Sequence, residues 1–142
     1  MRQFMMLLLL FSGCIIANVR SEAHITGDTY LGIIGSSISL ELEQVICTLS
    51  SSGNESTQEF SIHFSCGDLA QLIWYEGLSN FGIDEPRFEL LWAGDMDGDG
   101  KLDLKMETSP KYSCMQQTLY LSSLAPDGLL LGIDEQSELK CH

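Results

Sequence analysis

The run Asp95-Met96-Asp97-Gly98-Asp99-Gly100-Lys101-Leu102-Asp103 places four carboxylates on one short stretch of chain, with glycines where a tight turn is needed. A hard dication such as Ca²⁺ takes six to eight oxygens in a flexible shell. Asp95, Asp97 and Asp99 can each turn a carboxylate toward one centre. Lys101 can add its backbone carbonyl, and Asp103 can close the shell directly or through water. Gly100 permits the turn that wraps the loop round the ion. Bare carboxylates this close repel one another, so the pattern predicts a cation. Mg²⁺ suits it less well, because it holds its own waters and demands stricter geometry.

The elements that must carry this loop are strands. A helix-loop-helix calcium site would need a bidentate Glu six residues after the glycine, and that position is Met106; Glu107 falls one residue late. The flanks alternate instead. Phe88, Leu90 and Trp92 share one face before the loop. Leu102, Leu104 and Met106 share one face after it, opposite Lys101, Asp103 and Lys105. The pattern predicts a hairpin whose strands carry Trp92 and Leu102 into a core.

With those residues in view, Ala93 to Leu104 resembles the calcium loop of FG-GAP and VCBS-type repeats, and Phe81-Gly82 precedes it. The resemblance implies a calcium loop between strands, with Asp95, Asp97, Asp99 and Asp103 as side-chain ligands. It covers the loop region only, in one copy. A propeller needs several blades, so that architecture is not implied.

The rest of the chain bounds the setting. Its 142 residues are enough for one domain. Arg2 precedes an apolar run from Phe4 to Phe11, extended by Ile15, Ile16 and Ala17, and Ser21-Glu22-Ala23 offers small residues at cleavage positions. This predicts a secretory signal peptide over 1–23 and a single domain over 24–142. The apolar run is short for a membrane span, so no transmembrane segment is expected in the mature chain. Phe11-Ser12-Gly13-Cys14 also resembles a lipobox, which would instead leave the protein lipid-anchored through Cys14. Secreted or periplasmic location is the leading expectation.

Either route leaves Cys47, Cys66, Cys114 and Cys141, an even set that reads as two disulfides in an exported chain. Three pairings are open, and short loops favour Cys47–Cys66 with Cys114–Cys141. The formal charge of −13 repels phosphate backbones and argues against a nucleic-acid partner.

Period-2 patterning recurs along the mature chain and predicts a mostly β fold, a small antiparallel sandwich or curled sheet. Thr29 to Ile34 reads as strand-like. Ile38, Leu40 and Leu42 alternate in a strand running toward Cys47, with a bulge near Gln44-Val45-Ile46. Ser50 to Gln58 reads as a loop. Phe60, Ile62 and Phe64 alternate in a strand that pairs with the preceding one. Leu69 to Tyr75 favours a strand, and Gly77 to Pro86 a loop. Thr118 to Ser122 alternates with Leu119 and Leu121 inward, and Leu129 to Ile133 closes the chain as a last strand.

Catalytic patterns are thin. His24, His63 and His142 lie in no motif with a nucleophile, and there is no G-x-S-x-G elbow. Acid pairs such as Glu41 with Glu43 read as solvated faces. Trp74, Tyr75, Phe81 and Trp92 could form a binding platform if exposed, but core is the expected role. The sequence therefore points to an exported, disulfide-bonded, calcium-binding β domain with a structural or interaction role. A cell-envelope protein or carbohydrate is the alternative partner, and a small secreted hydrolase the alternative activity.

Overall fold

A computed structural model describes residues 20–76 and 86–142. Phe81, all but the last residue of the expected Gly77 to Pro86 loop, and most of the expected leader lie outside the described residues. The strands in chain order are β1 (Ser21–Glu22), β2 (His24–Thr26), β3 (Ser37–Leu42), β4 (Val45–Asn54), β5 (Glu59–Cys66), β6 (Leu69–Glu76), β7 (Arg87–Asp95), β8 (Asp103–Ser109), β9 (Cys114–Met115), β10 (Gln117–Leu121), β11 (Gly132–Gln136) and β12 (Lys140–Cys141). They form two five-stranded antiparallel sheets, in orders β2-β3-β4-β5-β6 and β1-β7-β8-β10-β11. A short β12-β9 pair sits apart. The mostly β fold read from the sequence is the fold observed. Among the described residues no helix is long and apolar enough to cross a membrane.

The two sheets share one core because each has one apolar face. Ile38, Leu40 and Leu42 of β3 and Phe60, Ile62 and Phe64 of β5 are buried, while their alternate neighbours are not. Phe88, Leu90, Leu104, Met106 and Tyr120 answer them from the other sheet. Phe60 stacks on Phe88 across the sandwich, with ring centroids 4.9 Å apart, and Trp74 tilts against Phe88 at 5.2 Å. Trp74 is thus a core-packing residue, as expected, whereas Tyr75 is exposed.

Both open sides of the sandwich are tied. On one side the N-terminal segment runs between the sheets. Ala23 N–H donates to the Ala93 carbonyl at 2.9 Å; β2 then crosses to pair with β3. The chain returns to β7, where Leu31 N–H donates to the Phe88 carbonyl at 2.8 Å and Leu90 N–H to the Thr29 carbonyl at 2.9 Å. On the other side the Gln71 amide of β6 imitates a strand ladder. Its Oε1 accepts from Leu130 N–H at 2.8 Å and Leu131 N–H at 2.9 Å, and its Nε2 donates to the Leu131 carbonyl at 2.9 Å.

Several local expectations are corrected. The bulge expected near Gln44 is a two-residue hairpin turn: Leu42 pairs with Val45, and Glu43 and Gln44 take φ of 48° and 69°. This left-handed pair matches the twist of the flanking strands. β4 continues to Asn54, so most of the expected loop from Ser50 is strand. Tyr30 forms an isolated β-bridge to Glu89 rather than joining a regular strand. In β7 the register shifts between Leu90 and Trp92, so Ala93 rather than Trp92 enters the core. In β10 the buried residues are Thr118 and Tyr120, not Leu119 and Leu121. Thr118 is tolerated inside because its hydroxyl meets that of Thr108 at 2.8 Å. The last strands lie later than expected, at Gly132–Gln136 and Lys140–Cys141.

Burial pushes the Tyr120 phenol up to about 12, opposed by the Thr118 hydroxyl. The folded protein holds that proton to higher pH than the unfolded chain, whose tyrosines titrate near 10. Stability from this group is therefore complete below about pH 10 and is lost as pH rises to about 12, by roughly 2 kcal/mol. Urea unfolding between pH 9 and 12 should show this loss in wild type and a shallower one in Tyr120→Phe. Identical slopes would refute it.

Candidate metal centre

The acidic run forms the connection between β7 and β8, which pair antiparallel from Arg87↔Ser109 to Gly94↔Asp103. Asp95 ends β7 and Asp103 begins β8. Gly98 and Gly100 take φ of 83° and 78°, a region that favours glycine, and so allow the chain to coil between them.

Asp95 organises the coil. Its Oδ1 accepts from the N–H groups of Gly98 at 2.8 Å and Asp99 at 3.1 Å, and its Oδ2 from Gly100 N–H at 2.8 Å. Asp97 Oδ1 accepts from Asp99 N–H at 3.4 Å, and Asp99 Oδ1 from Lys101 N–H at 2.9 Å. Each carboxylate is thus aimed by backbone amides of the loop itself. Asp95, Asp97, Asp99 and Asp103 each offer one oxygen, and these oxygens all lie within 4.8 Å of one another. The four side chains picked out in the sequence are therefore brought together. Lys101 is exposed, and its ammonium forms no ion pair with the four aspartates.

Asp103 differs from the other three. It is fully buried, at 0% exposure. Its Oδ2 accepts from Met96 N–H at 2.7 Å; its Oδ1 accepts from Ser122 N–H at 2.8 Å and from the Ser122 hydroxyl at 3.0 Å. Burial raises its pKa above the usual carboxylate value, against the lowering pull of the Ser122 and Met96 hydrogen bonds. The Ser122 hydroxyl also donates to Asp99 Oδ2 at 2.6 Å. Asp97 is exposed, and its pKa is lowered chiefly by a hydrogen bond from the Ser123 side chain.

Ser122 and Ser123 are the residues that sequence reasoning missed. They open the 3-10 turn Ser122–Leu124 directly after β10. β10 pairs with β8, and this pairing delivers them to the loop. Nothing in their local sequence marks them as partners of an aspartate some twenty residues away.

The group lacks positive charge. Among the described residues no lysine, arginine or histidine is ion-paired to the four aspartates; Arg87 pairs instead with Glu107, at 3.8 Å, and neither belongs to the cluster. One Ser122 proton is shared between two carboxylates. Ionised carboxylates at this spacing repel by about 1 kcal/mol per pair even at the dielectric of water. The chemistry available is oxygen-only coordination of a dication. None of the three histidines joins the acidic group.

An apolar cleft of about 160 Å³ adjoins the loop, lined by Gly100, Lys101 and Leu102 on one side and Leu42, Val45 and Phe64 on the other. Cys47 and Cys66 form part of its wall. They are joined by one disulfide, and Cys114 and Cys141 by the other. This is the pairing that short loops favour, and two disulfides suit an oxidising compartment. No family model matches the chain, and no curated protein or solved structure shows significant similarity to it.

Proposed function

We propose that the protein is an exported calcium-binding β domain in which the ion fastens the β7–β8 hairpin to the end of β10. The observation that carries this reading is the gathering of four aspartate oxygens within 4.8 Å of one another, with no cation paired to them among the described residues. Donor chemistry supports Ca²⁺: the set is oxygen-only and sits on a glycine-turned loop rather than a rigid cage. The likeness of the loop to FG-GAP and VCBS-type calcium loops agrees. Asp95, Asp97, Asp99 and Asp103 would supply carboxylates, and Lys101 its carbonyl. Bound calcium would offset repulsion where acidic groups are densest.

The role proposed is structural or interactive. Export is supported by the two disulfides and by the apolar, leader-like sequence of the N-terminus. The cleft beside the loop, with the exposed Val45 in its lining, favours an interaction with a cell-envelope protein or carbohydrate.

Calcium should raise the melting temperature and chelator should lower it. If only the folded protein binds, free calcium at a hundred times Kd adds about 2.7 kcal/mol, or roughly 8–10 °C for a chain of this size. Asp97→Ala and Asp99→Ala should remove most of that response. Titration calorimetry and thermal melts test it together. A wild-type melt unchanged by millimolar calcium, with no heat of binding, would leave an ordinary acidic turn.

A further inference from the structure

The N-terminal residues of the fold bear on where the exported chain is cut. We infer that Ser21–Ala23 belong to the folded protein and that leader cleavage falls before Ser21, not after Ala23; the cleavage part rests on the proposed export. Small residues at Ser21 and Ala23 suit a peptidase, but the structure gives them another use. Ser21 and Glu22 form β1, paired with Asp95 and Gly94 of β7. The Ala23 N–H donates to the Ala93 carbonyl at 2.9 Å. Ala23 is half-buried and packs against the shared core.

β7 is shaped to receive this strand. A Cβ on Gly94 would stand 2.2 Å from the Ser21 carbonyl oxygen, so the approach needs glycine at that position. Gly94 is itself buried. The contact also lies at the metal loop, because Ser21 is the register partner of Asp95. A chain beginning at His24 would leave the edge of β7 from Ala93 to Asp95 without its neighbour. It would expose backbone N–H and C=O groups there, a template for pairing with other chains. It would also loosen the strand end that fixes the first carboxylate of the loop. The rest of the N-terminal tie, β2 and the Thr29–Leu31 return to β7, continues directly from Ala23. The segment works as one strap, and a cut after Ala23 would remove its first fastening.

The test is to express the full chain in a host that exports it, then sequence the N-terminus and measure intact mass. Amide exchange on the folded product is followed residue by residue. The expected first residue is Ser21 or a residue after Met1 and before Ser21, including an acylated Cys14. The Ala23 amide should exchange on the order of 100-fold or more slowly than in an unstructured chain. A product beginning at Glu22, Ala23 or His24 would overturn the inference. A chain that keeps Met1 would defeat the export reading instead. In that case protection at Ala23 still decides the strand: slow exchange upholds it, and exchange at the unstructured rate overturns it.

Discussion

Asp103→Ala is expected to cost about 2–4 kcal/mol with no calcium present, and to abolish any calcium response as well. The side chain accepts hydrogen bonds from Met96 N–H, Ser122 N–H and the Ser122 hydroxyl, and it is fully buried. Alanine leaves two half-buried backbone donors without their acceptor. Each unsatisfied donor costs about 1–3 kcal/mol. Relief of repulsion from the other three aspartates offsets part of this, by about 1 kcal/mol per pair at most when screened. Asp103→Asn keeps the shape, but its amide nitrogen would face one of the donors that the carboxylate now satisfies. It should lie between wild type and alanine. Asp97 is exposed, so Asp97→Ala should change metal-free stability by no more than about 0.5 kcal/mol while still removing the calcium response. Urea unfolding in chelator, repeated in saturating calcium, separates the two roles. Equal metal-free stability for Asp97→Ala and Asp103→Ala would mean that Asp103 is a ligand and nothing more.

That division between ligand and latch was only half legible in the sequence. The spacing of the aspartates pointed to one centre, and their oxygens do converge. It could not show that Asp103 is sealed from water, because the seal comes from β10 and Ser122, reached through sheet pairing rather than through the chain. The most legible strands are β3 and β5, where strict alternation meets one buried face. The phase of β10 is not legible locally, because Thr118-Leu119-Tyr120-Leu121 offers an inward face on either side. The choice fell to a Thr118–Thr108 hydroxyl pair that no local pattern reveals. The place of Trp92 is hidden for a similar reason. A register shift at Leu91 reverses the inward face, and a large aromatic gives way to Ala93. The Glu43-Gln44 turn carries no Asn-Gly signal, so its left-handed backbone was invisible until the strands were paired.

The two disulfides close loops of similar length, yet their removal should have different consequences. Cys47–Cys66 spans 19 residues and Cys114–Cys141 spans 27. Chain entropy alone assigns about 3 kcal/mol to each, slightly more to the longer loop. Packing reverses that order. Cys47 and Cys66 are register partners on the central strands β4 and β5; Cys47 is buried in the core and Cys66 packs against it. Cys47→Ala with Cys66→Ala therefore loses the cross-link and core contacts together, and should cost about 3–5 kcal/mol. The other bridge ties down a tail. β12 pairs with β9 through Lys140↔Met115 and Cys141↔Cys114, with one further bond from His142 N–H to the Ser113 carbonyl, and the 132–142 stretch is mostly exposed. Without the bridge that tail can open while the sandwich stays folded, so the native state regains some of the entropy that the unfolded state gains. Cys114→Ala with Cys141→Ala should cost less than about 2 kcal/mol in global stability, with amide protection lost after Ser137 and retained in β4 and β5. Denaturant unfolding and hydrogen exchange on both double variants decide the matter. A larger global loss from the C-terminal bridge would show that the tail is integral to the sandwich rather than fastened to it.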